Sequence, residues 1–175
     1  MPRGPYLAPG YARPVSTATR RAPVVSLAAL ATFVLAGCSA TGEGPSDPKP
    51  SGRAAADCRA LHERLPERVT GQDRNALDPE SKYTAAWGDP AVELRCGVPR
   101  PEVLTPGSEH YNPTTEAAEV NGVSWLIEER EDGYRFTTTD RRANVELTVP
   151  GAYAPETGAL VDLAKAVRDS VPDKN

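Results

Sequence analysis

A chain of 175 residues, 39% apolar and 25% charged, holds material for one modest globular domain and excludes a two-domain machine. Its formal net charge of −4 is unevenly spread: residues 1–37 carry Arg3, Arg13, Arg20 and Arg21 and no acidic residue, so removing those four positive charges takes −4 to about −8. An acidic domain of this kind is repelled by nucleic-acid phosphates and anionic headgroups, so no nucleic-acid partner is expected.

Residues 1–37 read as an export signal, with a basic stretch closing on Arg20-Arg21, an apolar run from Val24 to Ala36, and small residues before Cys38. The run is about 13 residues, short of the roughly 20 that a membrane-crossing helix needs. Leu35, Ala36, Gly37 and Cys38 match the bacterial lipobox at every position. The cysteine thiolate is the nucleophile that takes a diacylglyceryl group, and two acyl chains anchor stably where one is marginal. The expected product begins at a lipidated, palmitate-bearing Cys38 on the extracytoplasmic face of the cell membrane. Arg20-Arg21 also leaves twin-arginine export open, although Ala22-Pro23 follow where that signal carries bulkier apolar residues.

From Ser39 to about Arg53 the chain is Ser, Gly, Pro, Asp and Lys without a large apolar residue, the composition of a flexible tether with a reach of about 20 Å. The expected organisation is therefore a signal over 1–37, a lipidated cysteine and linker over 38–54, and a single domain over 55–175. Ser46-Asp47-Pro48-Lys49 satisfies a Ser-x-x-Lys pattern, but in a linker and without the companion motifs it carries no catalytic meaning.

Within the domain, Cys58, Leu61 and Leu65 form one stripe of a short helix over about 55–65 that Pro66 ends. After a polar loop, Tyr83 to Trp87 and Ala91 to Val98 are expected as strands around Gly88-Asp89-Pro90, with Val92, Leu94, Cys96 and Val98 inward and Glu93 and Arg95 outward. Pro99 to Glu119 is expected as a long irregular loop, either a connector or a recognition element.

Val123 to Arg130 and Tyr134 to Thr139 flank Asp132-Gly133, a strong hairpin signal. A two-residue turn there pairs Glu131 with Tyr134, Glu129 with Phe136 and Ile127 with Thr138, and puts Val123, Trp125, Ile127, Tyr134 and Phe136 on one face. Ala143 to Val149 alternates with Val145, Leu147 and Val149 inward. A last helix opens near Pro155-Glu156 and lines up Leu160, Leu163, Ala164 and Val167.

These elements give an α+β two-layer sandwich, a mainly antiparallel sheet of about five strands with two helices on one face. The other face, carrying Arg95, Glu128, Arg130, Arg135, Thr137 and Glu146, is expected to meet solvent or a partner. Cys58 and Cys96 both point inward on independent periodicities, so in an oxidising compartment they are expected to bridge.

The sequence offers two histidines, His62 and His110, neither with a second ligand at metal spacing, and no Ser/His/Asp set or phosphate-binding glycine loop. No catalytic residue, metal or cofactor is therefore assigned, and the expected role is a non-enzymatic binding or accessory module of the cell envelope. Its partner would be an envelope protein or a cell-wall component. The alternative is a small-ligand or solute-binding lipoprotein with a pocket lined by Trp87, Tyr111 and Trp125, which are the candidate partner-binding residues.

Several stretches resemble one family: Asp57 to Leu61 with Leu65-Pro66, Ala85 to Pro101 with Trp87-Gly88-Asp89-Pro90 and Leu94-Arg95-Cys96-Gly97, Val120 to Trp125, and Val149-Pro150. The chain is identified on these as resembling the domain of unknown function 3515, found in membrane lipoproteins of high-GC Gram-positive bacteria. The resemblance implies an envelope location and no reaction.

Overall fold

The structure is a computed structural model that describes residues 45–174; the signal, the lipobox and Cys38 lie outside the described residues. Helix α1 spans Gly52–Arg64 and buries Ala55, Asp57, Cys58 and Leu61. It stops because Pro66 forces the residue before it out of the helical region, and Leu65 is extended at φ −62°, ψ 138°. The polar loop that follows contains a small hairpin, β1 (Arg68–Val69) and β2 (Gln72–Asp73), turning on Thr70 and Gly71. The Thr70 amide donates to Asp162 at 2.8 Å, which fastens this hairpin to the last helix.

The main sheet has six strands, all antiparallel: β3 (Thr84–Trp87), β4 (Val92–Val98), β5 (Ala117–Val120), β6 (Val123–Arg130), β7 (Gly133–Thr138) and β8 (Asn144–Pro150). Their order is β3-β4-β8-β7-β6-β5. The expected α+β sandwich is what the chain forms, with one strand more than the periodicity indicated. The added strand is β5. It occupies the end of the stretch expected as loop, and it turns into β6 on Asn121 and Gly122, both at positive φ (49° and 80°). That is the type I′ geometry of a two-residue hairpin.

Helix α2 (Thr157–Ser170) and α1 cover one face. Leu61 of α1, Leu65 just beyond its end, and Leu160, Leu163 and Val167 of α2 join Trp87, Leu94, Trp125, Phe136 and Leu147 of the sheet in one core. Cys58 and Cys96 are bridged, with Cα atoms 5.5 Å apart, so α1 is covalently fixed to β4.

The hairpin between β6 and β7 departs from its expected register. Arg130 pairs with Gly133, Glu129 with Tyr134 and Ile127 with Phe136, so the turn residues are Glu131 and Asp132 and the pairing has moved by two. A shift of two preserves alternation, and Val123, Trp125, Ile127, Tyr134 and Phe136 do share the core face. Gly133 is drawn into the strand because it pairs with Pro150 of β8, where only a residue without Cβ fits.

Charged groups close the C-terminal end. Arg141, 5% exposed, donates to the carbonyls of Val171 and Gly122, while Arg142 grips Asp57 of α1 through two bonds of 2.7 Å. Among the described residues no helix is long and apolar enough to cross a membrane.

Candidate functional site

The face of the sheet away from the helices carries the most organised polar arrangement in the domain. Strand register stacks its side chains into two rows. One row runs Thr84, Arg95, Glu146, Thr137, Leu126 and Ala117, and the next runs Ala86, Glu93, Thr148, Arg135 and Glu128. Charges of opposite sign therefore meet across strands. Arg95 Nη1 lies 3.0 Å from Glu146 Oε1, Arg135 Nη1 lies 3.6 Å from Glu146 Oε2, and Arg135 Nε lies 3.7 Å from Glu128 Oε2. Arg130 adds a 2.8 Å bond to Glu128.

This face was expected to be solvated or to meet a partner, and it is only partly wet. Glu146 is buried, Thr137 is 1% exposed with its hydroxyl unpaired among the described residues, and Leu126 is fully buried. Glu93 has no ion-pair partner among the described residues; burial pushes its carboxyl above the usual range, opposed by Arg95 and reinforced by Glu146. The consecutive apolar run Trp125-Leu126-Ile127 signals a segment covered on both sides, and the covering of Leu126 was readable from it. What the rows offer chemically is a fixed alternation of guanidinium donors and carboxylate acceptors, suited to recognition.

The three aromatic residues named for recognition are not brought together. Trp87 and Trp125 are fully buried in the helix-side core, and Trp87 Nε1 donates to the Pro66 carbonyl at 3.1 Å. Tyr111 stands apart, 43% exposed on the long loop. None of the three lines the grooves that run beside the β6–β7 turn, His62, Pro45, Tyr153 or Lys165. Both tryptophans sit at inward positions of their strands, where a large apolar ring is worth most as core. The long loop is held by its own bonds: Asn112 N to Val103 O at 2.9 Å, Arg100 Nε to Leu104 O at 3.0 Å, and Asn112 Oδ1 accepting from Thr114.

His110 comes within 3.7 Å of Glu102, but both side chains are about three-quarters exposed and form no cleft. His62 meets Arg74 rather than a carboxylate. Arg74 Nη2 donates to His62 Nε2 at 2.8 Å, on the wall of a groove of about 420 Å³ that Glu80 and Ser81 also line. An arginine only donates, so Nε2 is an acceptor and the ring is neutral with its proton on Nδ1. Burial, then the neighbouring Arg74 charge, hold the His62 pKa below the ordinary histidine value, with Glu80 and Glu63 opposing and Lys82 assisting.

The folded chain therefore binds a proton at this site less readily than the unfolded one. Stability from His62 is present above the unfolded pKa and is lost as the pH falls through the lower folded pKa. Urea unfolding of wild type and His62→Gln at a series of pH values should show the variant losing less stability as the solution is acidified below about pH 6.5. Parallel pH profiles would show that the Arg74 contact does not perturb the ring.

The acidic run at the β6–β7 turn splits in two. Glu129, Glu131 and Asp132 are exposed and line a groove of about 900 Å³ with Glu156, while Glu128 turns into the charged rows. Among the described residues no group of three or more His, Cys, Asp or Glu side chains could hold a metal ion. A family model described as a protein of unknown function (DUF3515) matches residues 21–175. No curated protein and no solved structure matches the chain.

Proposed function

The chain belongs to the DUF3515 family, and on the strength of its own residues we propose that it is a lipid-anchored module of the cell envelope that binds a partner and performs no catalysis. The observation that carries the anchor is the lipobox, Leu35-Ala36-Gly37-Cys38, placed where the apolar run ends. The Cys58–Cys96 bridge supports it, because such bonds form and persist in oxidising compartments outside the cytosol. The binding half is supported by the paired rows of arginine and glutamate on the outer sheet face, which present fixed donors and acceptors.

Cys38→Ala tests the anchor. In fractionated cells the wild type should stay with the membrane until detergent is added and carry the mass of its acyl groups, and the variant should lack that mass while keeping the Cys58–Cys96 bond. A variant still acylated would end the lipobox reading. Intact mass also separates true anchoring from retention by an uncleaved signal. For the binding half, an immobilised mature chain that captured nothing from membrane or wall extracts would count against it.

A further inference from the structure

Composition assigns residues 39–53 to a tether, yet the last part of that stretch is built into the folded unit. Pro48 is buried. Arg95 Nε donates to the Ser46 carbonyl at 3.0 Å, and the Ser81 hydroxyl donates to the Asp47 carboxylate while accepting the Tyr83 amide at 2.9 Å. Gly97, at φ +89°, lies so close under Pro50 that a Cβ there would sit 2.5 Å from the proline ring. Pro45, Ser46 and Asp47 form one wall of a groove of about 240 Å³, with Leu77, Glu80 and Ser81 on the other side. Pro45, Pro48 and Pro50 each fix φ, so seating this segment costs less conformational entropy than seating an ordinary linker.

We propose that residues 45–51 are a strap docked on the β3–β4 side of the domain, and that the strap sets both the distance and the orientation of the domain relative to the bilayer. The docking stands on the contacts alone. The bilayer half rests on the lipoprotein reading of Cys38.

The seven steps from Cys38 to Pro45 span at most about 25 Å whatever their conformation. The far edge strand, β5, is five strand spacings from β3, about 24 Å. At full extension such a leash would let either edge touch the headgroups, but its root-mean-square reach of about 15 Å is shorter than the sheet is wide, so fastening it on the β3–β4 side holds that side nearer the headgroups on average and turns the β5 edge away. A tether free as far as residue 53 would more than double the available contour and leave the domain to tumble.

The experiment uses the full mature lipoprotein in lipid nanodiscs. Backbone order parameters at Asp47 and Lys49 should be near about 0.85, as for rigid backbone, where a free tether gives below about 0.6. With gadolinium on the lipid headgroups, amide broadening should be strongest around Ser81 and β3 and should fall away toward β5. The variant Asp47→Ala/Pro48→Gly/Pro50→Gly changes only the strap. It should lower the order parameters and flatten the broadening gradient while the circular dichroism and the Cys58–Cys96 bond stay as in the wild type. Low order parameters at Asp47 and Lys49 in the wild type would overturn the docking. An ordered strap with even broadening across the sheet would overturn the orientation. An ordered strap on a chain that carries no acyl mass and does not associate with the disc would overturn the bilayer half through the failure of the anchor, with the docking upheld.

Discussion

Gly133→Ala should destabilise the domain by about 3 to 5 kcal/mol, combining backbone strain with an overpacked contact. The residue sits at φ +145°, and a Cβ built on it falls 2.2 Å from the Val149 carbonyl oxygen and 2.7 Å from the Gly151 nitrogen. Both are backbone atoms, so no side-chain rotation relieves the clash. The strand must separate from β8, or the turn must rebuild. Separation would disturb the Gly133–Pro150 pairing and the 2.8 Å bond from Gly151 N to Asp132 O. Thermal unfolding followed by circular dichroism should show a loss of roughly 10 to 20 °C for a domain of this size. Gly158→Ala in α2 is the control, since a Cβ there meets nothing within 4 Å and alanine is the better helix former by about 1 kcal/mol. A Gly133→Ala protein melting with the wild type would mean that β7 and β8 are not held this closely.

Removing the bridge with Cys58→Ala/Cys96→Ala should cost about 4 kcal/mol, the loop-closure value for a sequence separation of 38. The bond joins α1 to β4, and without it the helix is held by its apolar stripe and by the Asp57–Arg142 pair. The melting temperature should fall by roughly 10 to 20 °C, and a reductant should lower the wild type toward the variant while leaving the variant unmoved. Equal melting temperatures for the two proteins with and without reductant would show that the bond adds nothing to the fold.

The two hairpins on either side of β6 show where local sequence stops being sufficient. Both Asn121-Gly122 and Asp132-Gly133 carry the composition of a type I′ turn. Asn121-Gly122 forms one, because β5 is an edge strand and its only neighbour is β6. Asp132-Gly133 does not, because β7 has a second neighbour in β8 and Gly133 is needed against Pro150. The turn chemistry was legible at both places, but which glycine serves the turn and which serves a strand contact depends on a partner seventeen residues further along the chain.

The strap fails to be legible for a related reason. Ser46, Asp47, Pro48 and Pro50 are linker residues by composition, and nothing local distinguishes a segment that stays in water from one that docks. Arg95, Ser81 and Gly97 make the difference, and they are supplied by other elements. Asp57 and Arg142 were missed in the same way, since their two bonds join positions 85 residues apart.

What the sequence determined by itself is what depends on near neighbours in the chain. Period-2 and period-3.6 alternation picked out the inward faces of β4, β6, β7, β8, α1 and α2, and two of those faces brought Cys58 and Cys96 to the same core. The tertiary structure alone decided strand order, with β8 inserted between β4 and β7, and through it the meeting of Arg95, Glu146 and Arg135 across three strands. Alternation tells a residue which side of a strand it faces but not which strand lies beside it; that choice is made by contacts far apart in the chain, where burial and backbone pairing outweigh local preference.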